Sequence, residues 1–465
     1  MKIQFCGAAR SVTGSQHLLK IGDKKILLEC GLYQGRRSDT YEKNKNFIFD
    51  PSEINAMLLS HAHIDHSGNI PNLVKNGFNS PIYATTATVD LCQILLRDSA
   101  FLQEKDIEWV NKKRNRKHQP PIEPLYTYED VVDSMQHFVG IQYSKPFQVL
   151  PGIAATFFDA GHILGSAGIL LEIENKNKTI RLGFSGDIGR VDMPILRDPN
   201  ILRDLDVLIM ESTYGNRLHS HVDEIEEELA LVVREITEDG GKIIIPAFAV
   251  GRTQLIVYLL HKLFDQGRIP VVPIFVDSPM AVSATQVFRA HPECYDRETY
   301  DVFLDNHYDP FGFHRLKYVS KVEDSKALND LKEPHIIISA SGMAEGGRIL
   351  HHLRNNISNP KNLVLFVGYA AEHTLARRIM DGDQFVKIFG EEHEVKCKIK
   401  SMDYFSGHAD QKGLLEYVDF SSPKLLKNIF LVHGEESQAL TLREKIVSKG
   451  YSSVMYPQIN ETCEI

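Results

Sequence analysis

The chain lacks any run of about 18 apolar residues, so no segment reads as a membrane-spanning helix. Its first residues, Met1, Lys2, Ile3, Gln4, Phe5 and Cys6, open a strand rather than the charged and apolar regions of a signal peptide, and a cytoplasmic protein is expected. Cysteine is sparse. Cys6, Cys30, Cys92, Cys294, Cys397 and Cys463 stand far apart with no C-x-x-C pair, which argues against both a disulfide framework and a zinc ribbon. Basic excess is missing as well: the net charge of −9 leans against a nucleic-acid partner. It does not exclude one, since bound divalent cations and local basic patches attract phosphate to an acidic protein. There is no tandem repeat and no low-complexity linker. What remains is ordinary globular composition, 465 residues with 43% hydrophobic, enough for two or three packed domains.

The most concentrated chemistry is His61, Ala62, His63, Ile64, Asp65, His66, directly behind the apolar run Ala56, Met57, Leu58, Leu59. Clustered histidines and a carboxylate are costly to desolvate unless a cation shares them. In H-x-H-x-D-H, His61 and His63 converge from one side of a turn while Asp65 and His66 point away, so one loop can feed two metals. Imidazole plus carboxylate is the ligand set of hydrolytic zinc, with manganese the alternative if carboxylates outnumber histidines.

Read in order, the chain opens with strands at 2–6, 16–21 and 25–29, the last ending in Glu29, Cys30, Gly31. Such a start suggests an antiparallel or mixed sheet, and Glu29 is placed to orient a ligating histidine from behind. Helix is expected from 69 to 75 and from 86 to 105, followed by the basic run Lys112, Lys113, Arg114, Arg116, Lys117. Such a run is more often a solvated loop or helix face than a handhold for a phosphate backbone. A strand at 154–158 leads to Asp159, Ala160, Gly161, His162, and one at 179–184 delivers Ser185, Gly186, Asp187. A strand at 206–210 ends in Glu211, Ser212, Thr213. From about 221, helices alternate with short apolar strands at 242–245, 271–276, 335–339 and 363–367, which predicts a second domain with a parallel sheet. Its glycine-rich turns carry Arg252 and Ser341, a weak signal for phosphate contact. Ser406, Gly407, His408 then precede a helix, and a strand at 428–432 delivers His433, Gly434, Glu435. Ligand types therefore flank the middle domain, which implies that a first domain (1–210) is interrupted by a second (211–399) and completed by 400–465.

Taken together, these motifs resemble the metallo-β-lactamase superfamily, and within it the β-CASP branch of RNA-processing nucleases. The H-x-H-x-D-H loop, His162 and Asp187 are similar to superfamily features, and Glu211, His408 and His433 to those of the branch. The resemblance runs nearly end to end and implies an α/β fold, an αββα sandwich with an inserted β-CASP domain on a parallel sheet. It is nearest to the compact bacterial form, similar to polyadenylation-type endonuclease subunits. It implies that His61, His63 and His162 hold one zinc, that Asp65, His66 and His433 hold a second, and that Asp187 bridges them. A histidine at His433 marks RNA-cleaving members, where DNA-processing relatives tend to carry valine. Glu29 departs from the family's usual aspartate; its extra methylene predicts a displaced partner or an intervening water.

The implied function is a zinc-dependent ribonuclease, endonuclease or 5′-exonuclease, in which a hydroxide activated by two metals attacks phosphorus and leaves a 5′ phosphate and a 3′ hydroxyl. Asp65, Glu211 and His408 are the expected catalytic residues, with His408 the general acid and Glu211 keeping it protonated. A homodimer is expected from resemblance alone. A hydrolase of small esters or thioesters on this fold would share the zinc ligands but has no need of the inserted domain or His408. A noncatalytic RNA-processing scaffold would be expected to have lost ligands, and all seven positions hold competent ones.

Overall fold

Val207, Leu208, Ile209 and Met210 are apolar without alternation, and all four are buried, as a strand covered on both faces requires. The strand they form, Val207–Glu211, pairs in parallel with Lys178–Phe184 on one side and Asn428–Val432 on the other. In the computed structural model, which describes residues 1–35, 37–175, 178–219, 224–305, 308–368 and 370–465, the chain forms two compact units. The first comprises Met1–Val191, Arg197–Leu218 and Gly407–Ile465; the second comprises Asp192–Leu196 and His219–Ser406.

In the first unit Val207–Glu211 lies inside a seven-stranded sheet, ordered Val454–Met455, Asn428–Val432, Val207–Glu211, Lys178–Phe184, Ala167–Asn175, Ile153–Asp159, Phe147–Leu150. A second seven-stranded sheet runs Thr462–Glu464, Lys2–Gly7, Gln16–Ile21, Lys24–Leu28, Ala56–Leu58, Ile82–Thr85, Phe138–Ile141. It is mixed: antiparallel through its first three chain segments, parallel from Lys24–Leu28 onward. One apolar cluster takes Ile3, Phe5, Ile26 and Leu58 from this sheet and Phe157, Ile169, Ile209 and Phe430 from the other, so the two inner faces pack together. His17 sits in that interior, fully buried, its ring edge-on to Phe5 and Phe184. Leu208, Met210, Ile429 and Leu431 point outward instead and pack on Leu414, Val418, Leu442 and Ile446 of the helices Gln411–Asp419 and Glu436–Ser448. The helix Thr86–Arg116 packs along Ile82–Thr85 and Phe138–Ile141 of the other sheet. The order is helix, sheet, sheet, helix.

That helix is longer than its apolar periodicity suggested, and the basic run at 112–117 occupies its last turns and C-cap. Among the described residues, no helix is long and apolar enough to cross a membrane.

The second unit holds an all-parallel six-stranded sheet, ordered Leu316–Tyr318, Ile274–Val276, Ile336–Ser339, Ile243–Pro246, Leu363–Phe366, Lys398–Ser401. Ile244, Phe275, Ile337 and Val364 pack against Ile349, Leu353, Ala376 and Ile379 of the intervening helices. The alternation of strand and helix is the pattern that produces such sheets.

Candidate metal centre

The site is assembled at strand ends of the first unit. Ala56–Leu58 leads into His61 and His63, and the short helix Ile64–Ser67 carries Asp65 and His66. This turn is packed so closely that a Cβ at Gly31 would stand 1.6 Å from the Asp65 carbonyl oxygen. Ile153–Asp159 is followed by His162, Lys178–Phe184 by Asp187, and Asn428–Val432 by His433; Glu211 ends its own strand. Gly186, at φ +54°, turns the chain where a Cβ would meet Ser60 at 2.7 Å, which lets Asp187 enter.

Two donor sets result. In the first, His63 Nδ1 lies 3.1 Å from both His61 Nε2 and His162 Nε2, and Asp187 Oδ2 lies 3.5 Å from each of those Nε2 atoms. In the second, His66 Nε2 and His433 Nε2 are 3.2 Å apart, with Asp65 Oδ2 3.5 Å from His433 Nε2. Asp187 Oδ2 is 3.4 Å from His66 Nε2, so one oxygen adjoins both sets.

The hydrogen bonds behind the rings fix where their protons sit. His162 Nδ1 is 2.8 Å from the Gly407 carbonyl, which only accepts, and His66 Nδ1 is 2.6 Å from Glu29 Oε2. Ser60 Oγ, 2.9 Å from Glu29 Oε2, donates there and accepts from His61 Nδ1 at 2.9 Å. Thr213 Oγ1 donates to the His433 carbonyl and accepts from His433 Nδ1 at 3.2 Å. Each of these four rings therefore keeps a proton on Nδ1 and leaves Nε2, turned toward the others, as the nitrogen able to bind a metal. His63 Nδ1 stands 3.1 Å from the Nε2 atoms of both His61 and His162, and a single proton there can meet only one of them; the His66 and His433 Nε2 atoms are 3.2 Å apart, and a cation among each set relieves both. Asp187 Oδ1 is also buried without a hydrogen-bond partner among the described residues. Donors about 2.0–2.1 Å from a tetrahedral zinc stand roughly 3.3 Å from one another, which these spacings straddle. The residues present fit a metal.

Electrostatics agree with the geometry for His61, His63 and His162; at His66 burial is outweighed by Asp187, Glu29 and Asp65, which lift it well above the usual histidine range, so its Nε2 gives up a proton when a cation takes its place. Burial pushes His61 and His162 well below the usual histidine range and His63 down to about 4, which keeps their rings neutral. Burial opposes ionisation of Asp187 and Asp65, yet the surrounding imidazoles hold both carboxyls below the ordinary value. Glu29 is fully buried at the end of its strand with φ +64°, accepting from the Ser60 amide at 2.6 Å as well as from His66. Its longer side chain thus reaches the imidazole directly, and no water is needed to bridge them. His433 likewise adopts a left-handed conformation, φ +46°, held by its amide on the Ala8 carbonyl.

Beside the donor sets, His408 Nδ1 lies 3.1 and 3.2 Å from the two Glu211 oxygens, and Glu211 Oε1 also accepts from the Ile188 amide at 2.5 Å. Burial alone would lower the His408 pKa, but Glu211, with Asp187 and Asp65, lifts it to about 9. Ser60, Thr213 and the Gly407 carbonyl carried no recognisable signal in the sequence; adjacency to His61, Glu211 and His408 is the one clue. Arg252 and Ser341 belong to the second unit. Arg252 opens the helix Arg252–Asp265 and lines a small cavity with Phe248, Gly342 and Gly368, and Ser341 Oγ donates to the Gly346 carbonyl at 3.4 Å.

Comparison with known proteins gives three domain matches: the Metallo-beta-lactamase superfamily domain over residues 18–181, the Beta-Casp domain over 253–379, and the Zn-dependent metallo-hydrolase RNA specificity domain over 392–457. The ribonuclease TTHA0252 of Thermus thermophilus is 36% identical over 450 residues, covering 97% of each chain. The transcription termination factor FttA of Methanocaldococcus jannaschii is 31% identical over 455 residues, covering 96% of this chain and 69% of that one. A crystal structure of a protein of unknown function from Enterococcus faecalis superposes with TM-score 0.55 over 99% of both chains at 12% identity, a likeness of fold.

Proposed function

The chain belongs to the β-CASP branch of the metallo-β-lactamase superfamily, and from that premise we propose that it is a zinc-dependent ribonuclease that hydrolyses RNA phosphodiester bonds to a 5′ phosphate and a 3′ hydroxyl. One observation carries the reading: four histidines with inward-turned Nε2 atoms, His63 and two carboxylates converge into adjoining donor sets, with the His408–Glu211 pair beside them.

In this reading His61, His63 and His162 hold one zinc, Asp65, His66 and His433 a second, and Asp187 reaches both; manganese is the alternative metal. The chemistry supplied by bound cations is a lowered water pKa and neutralised charge on the phosphoryl oxygens. The protein does the rest. Glu29, Ser60, Thr213 and the Gly407 carbonyl keep the ring protons on Nδ1, so that the nitrogens facing the substrate are ligands and not acids. Asp65 and His408, 22% and 20% exposed, are within reach of a substrate entering from solvent. His408 protonates the departing 3′ oxygen, a poor leaving group as an alkoxide, and Glu211 keeps that proton in place near neutral pH. Arg252 and Ser341 of the second unit contact substrate phosphate, and a first domain interrupted by an inserted second and completed by the C-terminal segment is part of the same reading.

The test is element analysis of the purified protein, followed by RNA and matched DNA oligonucleotides labelled at either end, with His63→Ala as control. Two zinc per chain, RNA cut, DNA spared and an inactive control are expected, and the labelled ends distinguish internal from 5′ cleavage. Hydrolysis of a small ester or thioester with both polymers intact overturns the reading.

A further inference from the structure

Over its last turns the helix Thr86–Arg116 commits one face to the fold and leaves another bare. Ile107 is buried, Asn111 exchanges 2.9 Å hydrogen bonds with the backbone of Ile122, and Arg114 Nε donates to the Pro120 carbonyl at 2.7 Å. At 3.6 residues per turn these fall on one side. Phe101, Lys105, Trp109, Lys112 and Arg116 fall within a stripe of about 80° on the other. All five are exposed, the aromatic rings at 54% and 56%. Lys113 flanks the stripe with its Nζ 3.4 Å from the centre of the Trp109 ring.

Charge selects the partner. Residues 101–117 hold six basic and three acidic side chains in a protein of net charge −9, so this face opposes the sign of the whole. An apolar protein surface covering the rings would have to desolvate the interleaved lysines and arginine. Single-stranded nucleic acid satisfies both kinds of group at once: a base for the Phe101 ring and for the Trp109 face opposite Lys113, and phosphate for Lys112, Lys113 and Arg116. We propose that this stripe is a second RNA-binding surface, stacking bases on Phe101 and Trp109 and holding backbone phosphates with Lys112, Lys113 and Arg116. The proposal takes its ligand from the ribonuclease reading and adds a surface outside the metal centre. The helix begins beside the loop that carries His162: Thr85 and Thr88 donate to the Gly165 carbonyl at 2.6 and 2.8 Å. By helical rise Trp109 stands about 35 Å further along, so the surface favours long RNA over short.

Trp109 is the sole tryptophan, so its intrinsic emission reports on the surface directly. Titrating the full-length zinc-loaded protein with a slowly cleaved phosphorothioate RNA should quench that emission. In K112Q/K113Q/R116Q the slope of log affinity against log salt should shrink by about 2, about 0.7 per lost phosphate contact. The ratio of kcat/KM for long over short RNA should fall at least tenfold, and K112R/K113R/R116K should restore it. Trp109→Ala should weaken long-RNA binding roughly five- to a hundredfold. RNA binding with unchanged Trp109 emission and salt slope overturns the proposal. So does an altered sedimentation coefficient in the triple variant, which would make the stripe a contact between copies. Short RNA cleaved with an unchanged ratio in the triple variant sinks this inference and spares the ribonuclease reading; a wild-type protein that cleaves no RNA sinks that reading.

Discussion

Replacing Glu29 with glutamine preserves the shape of a fully buried side chain and alters one hydrogen-bonding preference. Glu29 Oε1 accepts from the Ser60 amide at 2.6 Å, while Oε2 accepts from His66 Nδ1 at 2.6 Å and Ser60 Oγ at 2.9 Å. In Glu29→Gln the amide oxygen stays on the Ser60 N–H, so the NH₂ group faces His66 Nδ1. Two donors cannot share that gap, and the imidazole proton moves to Nε2, the atom that meets Asp187 and His433. The alternative is to turn the amide and leave the buried Ser60 N–H unpaired, which costs about 1–3 kcal/mol. Either route predicts a loss of about 10- to 100-fold in affinity of the second metal, about 1.4–2.7 kcal/mol. Competition with a zinc chelator, followed by element analysis, should find one weakened equivalent and one of ordinary affinity. Two equivalents at wild-type affinity, in a variant that melts normally, would refute the claim that Glu29 sets the His66 tautomer.

His408→Ala should lower turnover by roughly two to four decades with metal content unchanged; loss of zinc would make His408 structural or a ligand instead. A general acid works only while protonated, and Glu211 raises the His408 pKa against the effect of burial, so Glu211→Gln should move the alkaline limb of the pH–rate profile to lower pH. Gly31→Ala sets a Cβ 1.6 Å from the Asp65 carbonyl oxygen, and should destabilise the fold by about 3 kcal/mol or more in denaturant unfolding, with loss of metal binding. His17, its pKa lowered to about 3 by burial and by the nearby His66 and His433, stays neutral in the fold while the unfolded chain protonates below about 6.5. Its share of stability is full above that pH and drains as pH falls toward 3, by roughly 3 kcal/mol at pH 4, so unfolding free energies of His17→Leu should show a shallower acid slope than wild type.

The strand Asn428–Val432, the turn after Lys24–Leu28 and the loop behind Ala56–Leu58 were all legible, because short apolar runs, glycine punctuation and ligand types are written within a few residues. The helix from Thr86 was read only to 105, since beyond that point its buried face narrows to Ile107 and hydrogen-bonded polar groups, which leave no apolar period.

The sequence by itself determined which residue types stand at the strand ends and in what order along the chain, because a strand end presents its next few side chains by local geometry alone. Only the tertiary structure decided which nitrogen of each histidine faces inward. That choice belongs to partners distant in the chain: the Gly407 carbonyl for His162 across 245 positions, Glu29 for His66 across 37, and Thr213 for His433 across 220. A tautomer is set by whatever acceptor the fold brings to the far side of the ring, and no spacing of letters encodes that.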